Sequence, residues 1–256
     1  MVEIKLYPKY KEFEHFLDLY PPYLSNQGLP EWYKTQTKKN IRLDNLVKTE
    51  EFVDVKNVTT PAKFCPAIQE HITGGIIIPS WSDIYIVKNN EEVYWEVPAG
   101  RLTEVPNDFM WIEEHGYKQV DMMNLNVIPN HLGVFKLVCP YYFETNEGYG
   151  LEFSDVMYHI RHNVKFLSGR VETDKWHETN FPFEFYEDIS KYEKKTLYIK
   201  AGDPLVMVRP YKIQNEKINL SLEKYSSNMY RQQEKNQTLK SSVSHNWKRY
   251  KKDYDK

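Results

Sequence analysis

The stretch 165–211 constrains the chain more than any other. It reads KFLSGRVETDKWHETNFPFEFYEDISKYEKKTLYIKAGDPLVMVRPY. Apolar residues recur there at strand spacing, and turn residues interrupt them at short intervals. The run ending at Ser168-Gly169 is one strand and 181–186 a second. A third is 197–200, followed by a turn at Ala201-Gly202-Asp203-Pro204 and a fourth strand over 205–209. Gly169 and Gly202 are expected to set the turns of a β-hairpin framework. A chain built around such a block is expected to be mainly β.

The remaining sequence extends this pattern. Residues 2–7 alternate as a first strand does, and Phe13, Phe16 and Leu17 lie on one side of a short helix over 11–19 that Pro21-Pro22 ends. Pro30 opens a further helical turn, with Trp32 and Tyr33 as a core anchor or, alternatively, a ligand platform. Strands are expected over 76–79 and 84–87. Asn89-Asn90 joins the latter to 93–97 in the clearest hairpin of the sequence. A strand over 134–138 ends at Cys139-Pro140, and 141–143 extends it past a bulge or an edge. After a turn at 146–148, the strand 149–153 returns. The expected architecture is a single β-sandwich or β-clip-like domain over 1–212, with short N-terminal helical elements. Residues 213–256 form a basic, polar helical tail.

Composition narrows the function classes. The 20 Tyr and 12 Phe favour strands, while ten Gly are few for phosphate-cradling loops, and neither a Walker nor a Rossmann glycine pattern occurs. A net charge of −2 speaks against a chain that binds nucleic acid over its whole surface. Two cysteines, Cys65 and Cys139, exclude a Cys-rich zinc site and suit a reducing compartment. The longest apolar run, Ile76-Ile77-Ile78, is too short to span a bilayer, so no membrane association is expected and a cytoplasmic setting is.

No catalytic constellation stands out. His159 and His162 are three apart in extended flanks, which places them on opposite strand faces rather than on one metal. An iron facial triad would need an H-x-D or H-x-E pair, and there is none. No G-x-S-x-G elbow marks a hydrolase. The crowded loop 172–180 is the one place where acids, a histidine and a tryptophan meet. The last segment, 231–256, holds eight Lys/Arg against three Asp/Glu, with Trp247 and Tyr250 among the cations. It is either a solvated helix or a contact for nucleic acid or an acidic partner.

Two resemblances follow from these residues. Gly169-Arg170-Val171-Glu172-Thr173-Asp174-Lys175-Trp176, then Asn180, then Ile199-Lys200-Ala201-Gly202-Asp203-Pro204-Leu205-Val206, resemble the core of the trimeric dUTP pyrophosphatase and dCTP deaminase fold. The resemblance implies a β-clip or distorted jelly roll over 165–211. In it, Glu172 stands where the family keeps its water-activating Asp, and Asp174 matches the second acid. The base-stacking aromatic is displaced from Lys175 to Trp176. The family's P-R-S-S phosphate segment and glycine-rich C-terminal arm have no match, and no Gly follows Gly202. Activity of that kind therefore lacks its phosphate cradle. Second, the chain from Leu29 to Tyr211 resembles an uncharacterised family of tailed bacteriophages, especially marine ones, and some bacteria. The segments carrying it include Leu29-Pro30-Glu31-Trp32-Tyr33-Lys34, Gly74-Gly75-Ile76-Ile77-Ile78-Pro79 and Pro140-Tyr141-Tyr142-Phe143-Glu144-Thr145.

Together these readings lead to a non-enzymatic binding or assembly protein of phage type. It would sit in the host cytoplasm, be open to homo-oligomerisation, and require no cofactor or metal. The alternative is a nucleotide or small-metabolite enzyme, with Glu172, Asp174 and His177 as catalytic candidates and Trp176, Asn180 and Arg170 as ligand-binding ones.

Overall fold

The computed structural model describes residues 2–35, 41–42, 58–59, 65–90, 92–98, 111–114, 135–157, 164–185 and 192–214, with short pieces between 220 and 234. The His159/His162 pair, most of 98–130 and the basic tail beyond 234 lie outside the described residues.

In chain order the elements begin with β1 (Ile4–Pro8), a 3-10 turn (Lys11–Phe13) running into α1 (Glu14–Leu19), β2 (Tyr23–Leu24) and α2 (Glu31–Thr35). Next come β3 (Ile41–Arg42), β4 (Val58–Thr59), α3 (Pro66–Thr73), β5 (Ile76–Pro79), β6 (Ile84–Asn89), β7 (Glu92–Glu96) and β8 (Ile112–Glu114). The series closes with β9 (Phe135–Thr145), β10 (Tyr149–Asp155), β11 (Val164–Phe166), β12 (Gly169–Val171), β13 (Glu178–Phe185), β14 (Lys194–Ile199) and β15 (Pro204–Lys212). The expected mainly-β class, with few short helices and several antiparallel sheets, is what the protein has. In the tail, the described residues 227–229, 231–232 and 234 are helical.

The chain packs as two compact units, residues 1–28 with 74–214, and residues 29–73 with 215–256. The second unit contains α2, α3 and the β3–β4 pair. Within it Trp32 meets Tyr33 edge to face at 5.6 Å, and Tyr33 is buried, which pushes its phenol pKa up.

Among the described residues the first unit holds three antiparallel sheets. One runs β1-β9-β13-β11, with β8 also on β9; the second runs β12-β10-β15-β5-β2; the third is β14-β6-β7. The segment 165–211 contributes to all three. Its β11 and β13 join the first sheet, β12 and β15 the second, and β14 the third. The sequence suggests a local hairpin here, and the structure corrects this. β12 pairs with β10 and β13 pairs with β9, so the loop between them passes from one sheet to the other. The turn at 146–148 does the same: β9 and β10 are consecutive yet lie in different sheets. Ser80–Asp83 likewise separates β5 in the second sheet from β6 in the third.

Inward-facing aromatics meet between the first and second sheets. Phe143 on β9 meets Phe153 on β10 at 5.3 Å, and Phe153 meets Phe181 on β13 at 5.7 Å. Strands from the three sheets, with Phe13 and Phe16 from the N-terminal helical segment, share one apolar cluster. Burying a side chain of this size contributes roughly 1.5–3 kcal/mol.

Gly202 and Gly150 show two ways in which this unit requires glycine. Gly202 has φ +84°, in the left-handed region. At Gly150 a Cβ would fall 2.6 Å from the Val171 carbonyl oxygen and 2.7 Å from the Tyr211 ring, its direct cross-strand partner. Gly169, expected to set a turn, has ordinary strand backbone and nothing within 4 Å of a Cβ, so its conformation does not depend on being glycine.

β9 carries the main irregularity. Tyr142 pairs with Glu178 and Val138 with Asn180, so Cys139, Pro140 and Tyr141 face the single residue Thr179. Pro140 has no N–H for the ladder, which makes a bulge the place for it, and its carbonyl accepts from Lys9 N–H at 2.8 Å.

Candidate functional site

The loop between β12 and β13 holds the residues that the sequence singles out. Its backbone forms one tight turn, with Trp176 N–H donating to the Glu172 carbonyl at 2.9 Å and Lys175 N–H to the same oxygen at 3.0 Å. The side chains divide between two directions.

Thr173 points inward and is fully buried. Its Oγ1 lies 2.9 Å from Thr145 Oγ1, and its carbonyl accepts from Thr145 N–H at 3.3 Å. Thr145 Oγ1 donates in turn to the Tyr149 carbonyl at 2.6 Å, across the 146–148 turn. Asp174 reaches the same turn, where its Oδ2 accepts from Gly148 N–H at 3.0 Å. Gly148 has φ +79°, and the carboxylate satisfies the N–H that this turn points away from the sheet. Asp174 Oδ1 is buried without a partner.

His177 Nδ1 lies 3.0 Å from the Phe143 carbonyl and 3.1 Å from the Thr173 carbonyl. Both neighbours only accept, so the proton belongs on Nδ1 and the ring ties the loop to β9. Asn180 Oδ1 accepts from Cys139 N–H at 3.4 Å, a long bond that bridges the β9 bulge.

The outward groups are Glu172, Lys175 and Trp176. Lys175 Nζ lies 3.3 Å from Glu172 Oε2, and this pair raises the Lys175 pKa. Both ends are exposed, so the pair adds little stability. Trp176 is 63% exposed. Arg170 stands apart on the outer face of the second sheet, where its Nη2 and Nε lie 2.7 and 2.8 Å from Glu152 Oε2 and its guanidinium covers Tyr211 at 4.9 Å.

The structure therefore brings Thr173, Asp174, His177 and Asn180 together as supports of the β9–β10 junction and the bulge. It places Arg170 elsewhere. Thr145 and Thr173 escaped sequence reasoning, since a threonine among acids looks like loop composition. The signal available was only the strand alternation that puts Thr145 in phase with Phe143.

A second polar cluster lies at the 201–204 turn. Asp83 Oδ1 accepts from Tyr198 Oη at 2.8 Å and from Ala201 N–H at 2.9 Å. The backbone bond to Ala201 and then the phenol bond hold the Asp83 carboxyl below its ordinary range, while the same contact pushes Tyr198 up to about 12. Gly202 N–H donates to the Ser80 carbonyl, and Ser80 N–H to the Asp203 carbonyl, both at 2.7 Å. Together with Ala201 N–H, these bonds close the turn against the β5–β6 connection.

Among the described residues no group of three or more His, Cys, Asp or Glu could hold a metal ion. No helix among them is long and apolar enough to cross a membrane.

No protein-family model matches the chain, and no curated protein matches it. Among solved structures it is similar to a point mutant of the dUTPase of Staphylococcus bacteriophage 80alpha. Identity is 11% over 60% of this chain and 86% of that one, with a TM-score of 0.31. A second mutant of the same dUTPase, with dUpNHpp, gives 10% identity over 60% and 80%, with a TM-score of 0.30. Neither likeness bears on what this chain binds or does.

Proposed function

We propose that the chain is a non-enzymatic binding or assembly module of phage type, and that the 172–178 loop is one of its contact points. The observation carrying this reading is the division of labour in the loop. Thr173, Asp174 and His177 engage backbone or buried hydroxyl groups, which fixes the turn, and Trp176 stands out on it. A large, exposed aromatic on a preorganised turn loses little entropy on binding, which suits an interface anchor. The same proposal keeps 1–212 as the binding domain and 213–256 as a basic tail, and leaves self-association open.

Purified protein tested against nucleoside triphosphates, with and without divalent cations, is expected to give no turnover product. A reproducible product would overturn the proposal. Light scattering tests self-association, with a concentration-dependent mass expected if copies pair. Deleting 231–256 is expected to remove any salt-sensitive nucleic-acid binding. No binding by the full chain at low salt would remove the tail from the proposal.

One observation favours the second reading, a nucleotide or small-metabolite enzyme using Glu172, Asp174 and His177: the buried, unpartnered Oδ1 of Asp174. On that reading Glu172→Gln and Asp174→Asn each abolish a turnover that the wild type shows, and Trp176→Ala weakens substrate binding.

A further inference from the structure

The outer face of the first sheet gathers exposed aromatic rings at one end. Tyr7 on β1 and Tyr142 on β9 are direct cross-strand partners, and Tyr142 is in turn the partner of Glu178 on β13. Side chains of such a row share one face of the sheet. Tyr7 is 45% exposed and Tyr142 39%. The pairing runs on past Glu178, because Phe143 N–H donates to the His177 carbonyl at 2.9 Å. Two residues along, this register sets Trp176, which is 63% exposed, beside Glu144.

The charged groups between these rings are already matched. Lys5 Nζ lies 3.1 Å from Glu144 Oε1, and Lys5, joined by the Tyr7 hydroxyl, holds that carboxyl below its ordinary range. Lys9 Nζ lies 3.0 Å from Glu178 Oε1 and 5.5 Å from the centre of the Tyr142 ring. The two lysines balance the two carboxylates, which leaves no net charge on the row to attract a nucleic acid or a charged peptide. The carboxylates are also its side-chain acceptors, and both are engaged. Two donors are not: among the described residues neither the Tyr142 hydroxyl nor the Trp176 indole N–H has a hydrogen-bond partner.

The occupant that fits is uncharged, apolar along its flank, and richer in acceptors than in donors. A glycan brings hydroxyl donors that would need the carboxylates the lysines hold. An added β-strand brings a row of N–H donors. A proline-rich segment brings neither. Each proline has a carbonyl and no N–H, its ring is apolar, and its extended helix is formed before binding.

We infer that this face docks a proline-rich peptide in the polyproline II conformation, with its rings against Tyr7, Tyr142 and Trp176 and its carbonyls accepting from Tyr142 Oη and Trp176 Nε1. The inference rests on the binding-module reading and names the partner of the same loop.

Calorimetric titration of the full chain with an acetylated and amidated decaproline tests it. Saturable binding is expected, with the same affinity at low and high salt. Trp176→Ala and Tyr142→Ala are each expected to weaken it about tenfold or more. Tyr142→Phe and Trp176→Phe keep a ring and remove only the donor, and each is expected to weaken it by less. Tyr94→Ala, at an exposed ring of the third sheet, is expected to leave it unchanged. No saturable binding by the folded wild type overturns the inference, and so does an affinity that survives both alanine variants. Binding of maltohexaose in place of decaproline, lost with Trp176→Ala, overturns it in favour of a glycan. Each of these failures leaves the binding-module reading standing, since turnover tests that reading separately.

Discussion

The loop between β12 and β13, over 172–177, and the bulge over 139–141 differ in how their polar groups are paired. The loop is crowded with groups that attract a functional reading, yet Thr173, Asp174 Oδ2 and His177 each bond a backbone or buried group nearby, and Asp174 Oδ1 is the loop's one buried atom without a partner among the described residues. The bulge is surrounded by Phe and Leu and attracts no functional reading, yet Tyr141 Oη and, opposite it, Thr179 Oγ1 are buried with no partner among the described residues. Polar density in a sequence therefore says little about which polar groups remain available. A turn that joins two sheets exposes backbone groups, and short polar side chains are recruited to satisfy them. At the proline bulge the backbone groups that leave the ladder find other partners: the Pro140 carbonyl accepts from Lys9 N–H, and Cys139 N–H donates to Asn180 Oδ1.

The largest test of this contrast is at the core end. Phe181→Ala removes the ring that joins Trp81 to Phe153, and is expected to cost about 3–5 kcal/mol in a urea unfolding measurement. A loss below about 1 kcal/mol would mean that the bulge region is not packed as described.

At the loop, Thr173→Val is expected to cost about 1–3 kcal/mol, because the β9–β10 junction loses a buried hydrogen bond. If Thr173→Val instead leaves stability unchanged and alters ligand binding, the loop is a site rather than a brace.

Reactivity separates the regions as well. Burial raises the Cys139 thiol to about 12, and the side chain is inaccessible. A thiol reagent at pH 8 is expected to leave Cys139 unmodified in native protein and to reach it only after denaturation. Modification of the folded chain at Cys139 would show that the bulge opens.

The Asp83 corner adds a pH test. Its folded carboxyl lies below the ordinary value of 3.8, so its contribution to stability is present above that value and is lost as pH falls through the lowered folded one. The wild type is expected to lose stability across that acid window more steeply than Asp83→Asn, with thermal unfolding midpoints as the measure. Parallel curves would remove Asp83 from the acid limb. The smallest effect belongs to Trp176→Ala, which is expected to shift unfolding by no more than about 0.5 kcal/mol while reducing binding to any partner that uses the loop.

Much of the sheet framework was legible in the sequence. The Asn89-Asn90 hairpin, the strands at 76–79 and 84–87, and the bulge past Cys139-Pro140 follow from alternation and turn chemistry, although β9 does not end there but runs on from Phe135 to Thr145, and Asn90 takes the positive φ of 56° that a tight hairpin requires. The roles of the loop residues were not legible. Asp174 is an acid in the sequence, and becomes a cap for Gly148 N–H only because the 146–148 turn is folded beside it. Gly169 looks like a turn glycine, but nothing in its surroundings requires one.

By itself the sequence determined the class of structure. Period-two apolar residues rich in Tyr, Phe, Ile and Val commit these segments to strands, because strand geometry is set locally by backbone and side-chain sterics. Which strands became neighbours was decided only in the tertiary structure. Consecutive strands such as β9 and β10 go to different sheets, and their inward aromatics Phe143 and Phe153 are buried against each other across the sandwich. That choice turns the loop between β12 and β13 into a bridge between sheets.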